Sequence, residues 1–149
     1  MTGKGSLNHN SRKFHAKNTD PNRTHWNVEY CNEDIKDVYH ELFDDALKRY
    51  NDKQTRKDRK IDDYYEKIRS GKQEKLFHEV ILQIGDKDNM GSETMEGQLA
   101  AKILDEYMKG FQERNPTLRV FAAHLHLDEA TPHLHIAVSY THLRAHETG

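Results

Sequence analysis

His126-Leu127-Asp128-Glu129-Ala130-Thr131-Pro132-His133-Leu134-His135 sets three imidazoles and two carboxylates within ten residues. If residues 133–135 are extended, strand alternation puts His133 and His135 on one face and Leu134 on the other. Asp128 to Pro132 has the composition of a turn, so the stretch predicts a hairpin, with one strand ending near His126 and another running from His133 to Ala137. In such a hairpin His126, His133 and His135 converge on one point. Open sites of three nitrogen ligands hold a metal that does chemistry at phosphorus or carbonyl centres. A single strand histidine is more simply a packing residue. Three, two of them at strand spacing with an acidic turn between, point to a metal. Glu129 and Asp128 sit in the turn, close enough to serve as partner or base. His124 shares the face of His126 but lies about 7 Å back along the strand, which suits a rim or phosphate contact better than ligation.

Outward from the hairpin, Leu118 to Leu127 reads as a strand with Phe121, Ala123 and Leu125 opposite Val120, Ala122, His124 and His126. Leu76 to Ile84 is an apolar, β-branched run that predicts a central strand. Thr24 to Tyr30 alternates, with Trp26, Val28 and Tyr30 opposite His25, Asn27 and Glu29. Between these strands, Asn32 is placed to cap a helix carrying Ile35, Val38, Tyr39, Leu42, Phe43, Ala46, Leu47 and Tyr50 at helical spacing. The pattern lapses over Asn51 to Lys60 and resumes with Ile61, Tyr64, Tyr65 and Ile68 before Ser70-Gly71. Two helices or one long helix with a solvated middle fit equally well. Gly85 to Gly91 reads as a loop. Ser92 can cap a helix through Leu99, Ile103, Tyr107 and Phe111, which Asn115-Pro116 stops. Residues 1–23 read as a loop or extended arm with a turn at Asp20-Pro21-Asn22. The order of elements predicts an α/β (α+β) sandwich, a mainly antiparallel sheet flanked by helices.

The 149 residues suffice for one domain with a core, although 34% hydrophobic against 32% charged content is polar. No apolar run has transmembrane length and no signal-peptide pattern follows Met1, which predicts a cytoplasmic protein with no membrane segment. The single Cys31 fits a reducing compartment. Net charge is −2, but it is unevenly spread. Residues 1–26 carry Lys4, Arg12, Lys13, Lys17 and Arg23 against Asp20, and residues 48–60 carry Lys48, Arg49, Lys53, Arg56, Lys57, Arg59 and Lys60 against Asp52 and Asp58. Such a run is either a phosphate-binding patch or a solvated helix face, and composition does not choose between them.

Ser139 through Thr148 resembles the conceptual translation of a transposase-type sequencing adaptor. The expectation is therefore a native portion over residues 1–137 and a non-native tail over 138–149. On that reading the natural chain continues past Ala137, and His142 and His146 are not ligands.

The stretch 126–135 also matches His-x-Asp-Glu-x-Thr-Pro-His-x-His, the pattern of the Mob/Pre (MobV-type) plasmid mobilisation relaxases, also called plasmid recombination enzymes, within the His-hydrophobic-His endonucleases. His9-Asn10-Ser11-Arg12 resembles the family's His-Asn-x-Arg motif, and Asn22-Arg23-Thr24-His25-Trp26-Asn27 its Arg-x-His-x-Asn motif. The resemblance spans most of residues 7–137. It implies a relaxase-like fold, incomplete at its C-terminal end, that nicks and joins DNA strands in plasmid mobilisation, conjugation and recombination. It implies that His126, His133 and His135 hold a divalent metal, Mn²⁺ or Mg²⁺; three neutral imidazoles suit Mn, Zn, Co or Ni better than Mg. It makes His9 the nucleophile, linked through a phosphoramidate to the DNA 5′ end, with Glu129 as partner for its other nitrogen. Arg12 and Arg23 would hold phosphates, with Lys53, Arg56, Lys57 and Arg59 as further DNA contacts and His25 and Asn27 beside the metal. The partner is single-stranded or supercoiled DNA at a transfer origin. The alternatives are a rolling-circle replication initiator with a nucleophile from Tyr30, Tyr39, Tyr64 or Tyr65, a non-catalytic DNA- or metal-binding fragment, and a zinc hydrolase of small substrates.

Overall fold

A computed structural model describes residues 26–85 and 94–143. Four strands form one antiparallel sheet: β1 (Val28–Asn32), β2 (His78–Gln83), β3 (Leu118–His126) and β4 (His133–Tyr140). Their order across the sheet is β1-β3-β4-β2. The hairpin of β3 and β4 is therefore its centre, and β2 forms an edge of the described sheet rather than the expected central strand. The apolar run Leu76 to Ile84 reflects cover on both faces, not neighbours on both sides. Phe77 joins one core layer while Val80 and Leu82 pack against the other.

The helices that follow β1 keep to the hydrophobic spacing closely. The helix α1 (Ile35–Asp52) is capped by Asp34, whose side chain accepts from the Lys36 N–H at 2.8 Å. Asn32, the expected cap, is instead the last residue of β1. Val38, Tyr39 and Phe43 are its buried face. The polar stretch after it breaks the helix in two. A single 3₁₀ turn covers Lys57–Arg59, and Asn51 ties the connection shut by donating to the Ile61 carbonyl at 2.7 Å and accepting the Ile61 N–H at 2.8 Å. The next helix, α2 (Tyr64–Ser70), starts at an Asp63 cap and ends at Gly71. Tyr39, Phe43 and Tyr64 interlock, with the Phe43 and Tyr64 ring centroids 4.9 Å apart. With Phe77, Phe121, Ala122 and Ala137 these side chains form the core between α1, α2 and one face of the sheet.

The other face is covered by α3 (Met95–Lys109) and the short α4 (Phe111–Arg114). Thr94 caps α3 by accepting the Gly97 N–H at 2.9 Å, while Ser92 lies outside the described residues. The helix does not bury the stripe expected of it. Ala100, Leu104 and Met108 face the sheet, while Leu99 is 60% and Ile103 48% exposed, with Met95 and Tyr107 on the same outer stripe. Two apolar stripes run side by side along α3. The inner one carries Gly97 and Ala100, small enough for the helix to seat closely on the strands, and this selects it over its bulkier neighbour.

Strand β3 also departs from simple alternation. A bulge at Phe121 shifts the β3–β4 register between Val120 and Ala122. Val120, Ala123 and Leu125 consequently share the α3 layer, while Phe121 and Ala122 belong to the α1 layer. Phe121 and Val120 thus lie on the faces opposite to those expected. Beyond the bulge the expected alternation holds. The segment 138–149 divides: Val138 to Tyr140 complete β4, Leu143 folds onto the α1 core, and 144–149 lie outside the described residues.

Candidate metal centre

Along the face of the sheet that holds Ala122 and Ala137, alanine gives way to histidine toward the β3–β4 turn. His124 lies directly opposite His135, and His126 directly opposite His133. Residues paired this way project to the same side, so all four imidazoles share one face. Ring centroids are 6.1 Å apart for His124 and His126, 6.2 Å for His133 and His135, and 4.5 Å for the pair His126 and His135. His126 is fully buried.

The turn folds its carboxylate back over this group. Asp128, Thr131 and Pro132 are fully buried, and the Leu127 N–H donates to Asn27 Oδ1 at 2.6 Å, fixing the turn to the segment before β1. Glu129 Oε2 then lies 3.4 Å from His126 Nδ1 and 3.8 Å from His133 Nδ1. One ligand atom each from His126, Glu129 and His135 lie within 4.8 Å of one another. The structure therefore brings Glu129 into the tightest cluster and sets His133 at its side.

The hydrogen bonding of His133 fixes its tautomer. Its Nδ1 lies 2.6 Å from the Thr131 carbonyl oxygen. A carbonyl only accepts, so Nδ1 carries the proton and Nε2 keeps its lone pair, as in a metal-ligating histidine. His135 gives the complementary sign: both its ring nitrogens are buried without a hydrogen-bond partner. Leaving such groups unsatisfied is costly, and a cation on one nitrogen removes much of that cost. The donor set of imidazole nitrogens and one carboxylate fits a divalent transition metal.

Two further acids reach the histidines, and neither was singled out in the sequence. Glu29 Oε1 meets His124 Nε2 at 3.0 Å, and Glu79 Oε1 lies 3.8 Å from His135 Nδ1. Glu29 was legible as part of a polar strand face. Glu79 had one signal, a charge inside an apolar run. Burial pushes His124 below the usual histidine range despite the opposing pull of Glu29, with His126 and His135 adding to the downward shift. His124 is neutral at pH 7 on this account.

His9, Arg12, Arg23 and His25 lie outside the described residues. Lys53, Arg56, Lys57 and Arg59 lie together at the end of α1 and in the connection to α2. Arg56 is forked onto Asp58 at 3.1 and 2.7 Å. The tyrosines named as alternative nucleophiles are engaged in packing. Tyr39 and Tyr64 are core residues, with Tyr65 packed against them. Tyr30 donates to Asp105, and burial first, then that bond, pushes its phenol well above the usual range.

A model of the Mob_Pre family, described as plasmid recombination enzyme, matches residues 4–147. No curated protein matches the chain. Among solved structures, the chain resembles the MobM relaxase domain (MOBV; Mob_Pre) bound to plasmid pMV158 oriT DNA of 22 nucleotides, a Mn-bound crystal structure. The identity is 27%, the TM-score 0.53, and the match covers 94% of this chain and 66% of that one. A second structure of that domain, with a 3′-thiophosphate DNA, matches at 24% identity and a TM-score of 0.50 over the same shares and speaks for the fold. The chain thus spans 66% of the length of the relaxase domain it resembles. A family match over nearly all of the chain, on the sheet and hairpin that carry the histidine cluster, means that this protein belongs to the Mob_Pre family of plasmid recombination enzymes.

Proposed function

We propose that this chain acts in metal-dependent nicking and joining of single-stranded or supercoiled DNA at a plasmid transfer origin. The observation that carries the reading is the buried His126–Glu129–His135 cluster at the turn end of the sheet, with both nitrogens of His135 lacking hydrogen bonds. His126, His133 and His135 would hold a divalent cation, Mn²⁺ before Mg²⁺, with Glu129 Oε2 within reach of the same cluster. A bound cation supplies Lewis-acid stabilisation of a phosphate oxygen as phosphorus becomes five-coordinate. The β3–β4 hairpin holds the ligand rings at fixed spacing, and Thr131 fixes the tautomer of His133.

His9 serves as the nucleophile. Its neutral imidazole nitrogen forms a bond to phosphorus as the bond from phosphorus to the 3′ oxygen breaks, and the 3′ oxygen leaves with the proton that the imidazole gives up. Glu129 accepts the proton that the attacking imidazole must lose and passes it on to the leaving 3′ oxygen, and joining runs the same steps in reverse. Arg12 and Arg23 pair with phosphates flanking the scissile bond, and Lys53, Arg56, Lys57 and Arg59 with more distant ones. The protein works in the cytoplasm; no described helix is long and apolar enough to cross a membrane. The engagement of Tyr30, Tyr39 and Tyr64 in packing favours this reading over a tyrosine-dependent initiator.

The test is incubation with a 3′-labelled pool of single-stranded oligonucleotides and Mn²⁺. A denaturant-resistant protein–DNA band that EDTA abolishes is expected, lost in His9→Phe and kept in Tyr30→Phe. No cleavage and no covalent band would refute it, and a band lost only in Tyr30→Phe would favour the initiator.

A further inference from the structure

Glu79 is an acid where a strand needs none. It sits in the middle of Phe77-His78-Glu79-Val80-Ile81-Leu82 and is only 5% exposed. Acids are almost never buried so completely unless something in the fold uses their charge. The register shows what lies beside it. On β2, Glu79 faces Ala137 and Ile81 faces His135, so Glu79 is the diagonal cross-strand neighbour of His135. A diagonal of about 7–8 Å between such positions is within reach of a long side chain. Glu79 takes that reach: its Oε1 lies 3.8 Å from His135 Nδ1. On its other side the His135 ring meets the ring of His126, centroid to centroid at 4.5 Å. His135 therefore lies between a buried carboxylate and the cluster formed with His126 and Glu129.

We infer that Glu79 is a positioning residue for His135. Its carboxylate stands 3.8 Å from Nδ1, at ion-pair rather than hydrogen-bond distance, and its charge favours a proton on Nδ1, which leaves the Nε2 lone pair for the cation. The inference rests on the metal reading of the cluster and adds an element from a different strand. Thr131 acts on His133 through a hydrogen bond to its backbone carbonyl, and Glu79 acts on His135 through charge. The two ligands of β4 are then oriented from opposite sides.

The experiment compares the full chain with Glu79→Gln, titrating Mn²⁺ by calorimetry and checking the fold by circular dichroism. Mn²⁺ binding is expected to weaken roughly 10- to 100-fold in the variant at unchanged secondary structure. Unchanged affinity in a folded variant overturns the inference while leaving the metal reading intact. Absence of Mn²⁺ binding in the native chain removes the metal reading and the inference with it. Because Glu79→Gln can fail to fold, long-range ¹H–¹⁵N spectra of the native chain with Zn²⁺ provide an independent test. His135 protonated on Nδ1 is expected; protonation on Nε2 overturns the inference. A purely structural glutamate would leave this signature unmoved in Glu79→Gln.

Discussion

His135 has more to lose than its neighbours, because neither of its ring nitrogens has a hydrogen-bond partner. His135→Ala should therefore abolish measurable Mn²⁺ binding by calorimetry, and undiminished binding would contradict its place in the cluster. A second residue-scale test concerns Arg119, which forks onto Glu33 at 2.7 and 3.0 Å and onto Glu41 at 3.0 and 3.2 Å. Hydrogen bonding from Arg119 holds the Glu33 carboxyl below its ordinary range. Its native value is thus lower than its unfolded one, so its contribution is present above the unfolded carboxylate value and is lost as pH falls through the native value. Both acids are substantially exposed, and solvent screening limits the pair to about 0.5 kcal/mol. Glu33→Gln should lower stability by about that amount at pH 7 in urea unfolding, with the difference fading below about pH 4. A constant difference across that window would rule out the ion pair as its source. The ligand histidines were legible at this scale because their spacing is local. Glu79 and Glu29 were not, since what they touch lies 56 and 95 positions away in the chain, and no local pattern records such pairings.

At the scale of elements, α3 shows how a pattern can be read correctly as a helix and wrongly as a face. Leu104 is 3% exposed, so Leu104→Ala should cost about 2–4 kcal/mol in denaturant unfolding. Leu99→Ser, on the outer stripe, should change stability by no more than about 0.5 kcal/mol. Reversal of these two effects would mean that the outer stripe is the packed one. The choice between stripes depended on the sheet beneath, which helical spacing does not encode. The break between α1 and α2, left open by the sequence, was decided by the clasp of Asn51 on Ile61. The basic connection that follows offers a clean electrostatic test. Neutralising Lys53, Arg56, Lys57 and Arg59 together should weaken binding to all single-stranded sequences and flatten the dependence of affinity on salt. An unchanged slope would reduce the run to a solvated surface.

For the molecule as a whole, the antiparallel sheet with helices on both faces followed from the order of elements, whereas the position of β2 at an edge of the described sheet did not. The order of strands is set by which hairpins form, and only the β3–β4 hairpin had a short enough turn to be seen. The tail bears on the whole fold as well. Ser139 and Tyr140 pair with Arg119 and Leu118, the Thr141 N–H donates to the Thr117 carbonyl at 3.1 Å, and Leu143 is 9% exposed. Removing Ser139 to Gly149 should lower thermal stability, with the loss of Leu143 burial alone contributing about 1–2 kcal/mol. It should leave Mn²⁺ affinity unchanged, because the His135 ring depends on Glu79, Glu129 and His126. A matching loss of affinity would show that the tail supports the site.

The bulge at Phe121 has a consequence for how this sheet tolerates change. Before it, even-numbered β3 residues such as Val120 face α3; after it, odd-numbered ones such as Ala123 and Leu125 do. Phe121 is thus a parity switch: the extra residue lets Val120 face α3 while His124 and His126 keep the face of Ala122. Substitution leaves the count intact, so Phe121→Leu should keep the histidines in place at some cost in packing. Deletion of Phe121 removes the extra residue itself: Val120 and Ala122 become neighbours opposite Val138 and Ala137, and Val120, Ala123 and Leu125 keep to α3 while His124 and His126 keep to the other face. The strand thus carries one residue of slack ahead of the site, and losing Phe121 should lower stability through lost packing while leaving Mn²⁺ affinity in place; a matching loss of affinity would show that the bulge itself positions the histidines.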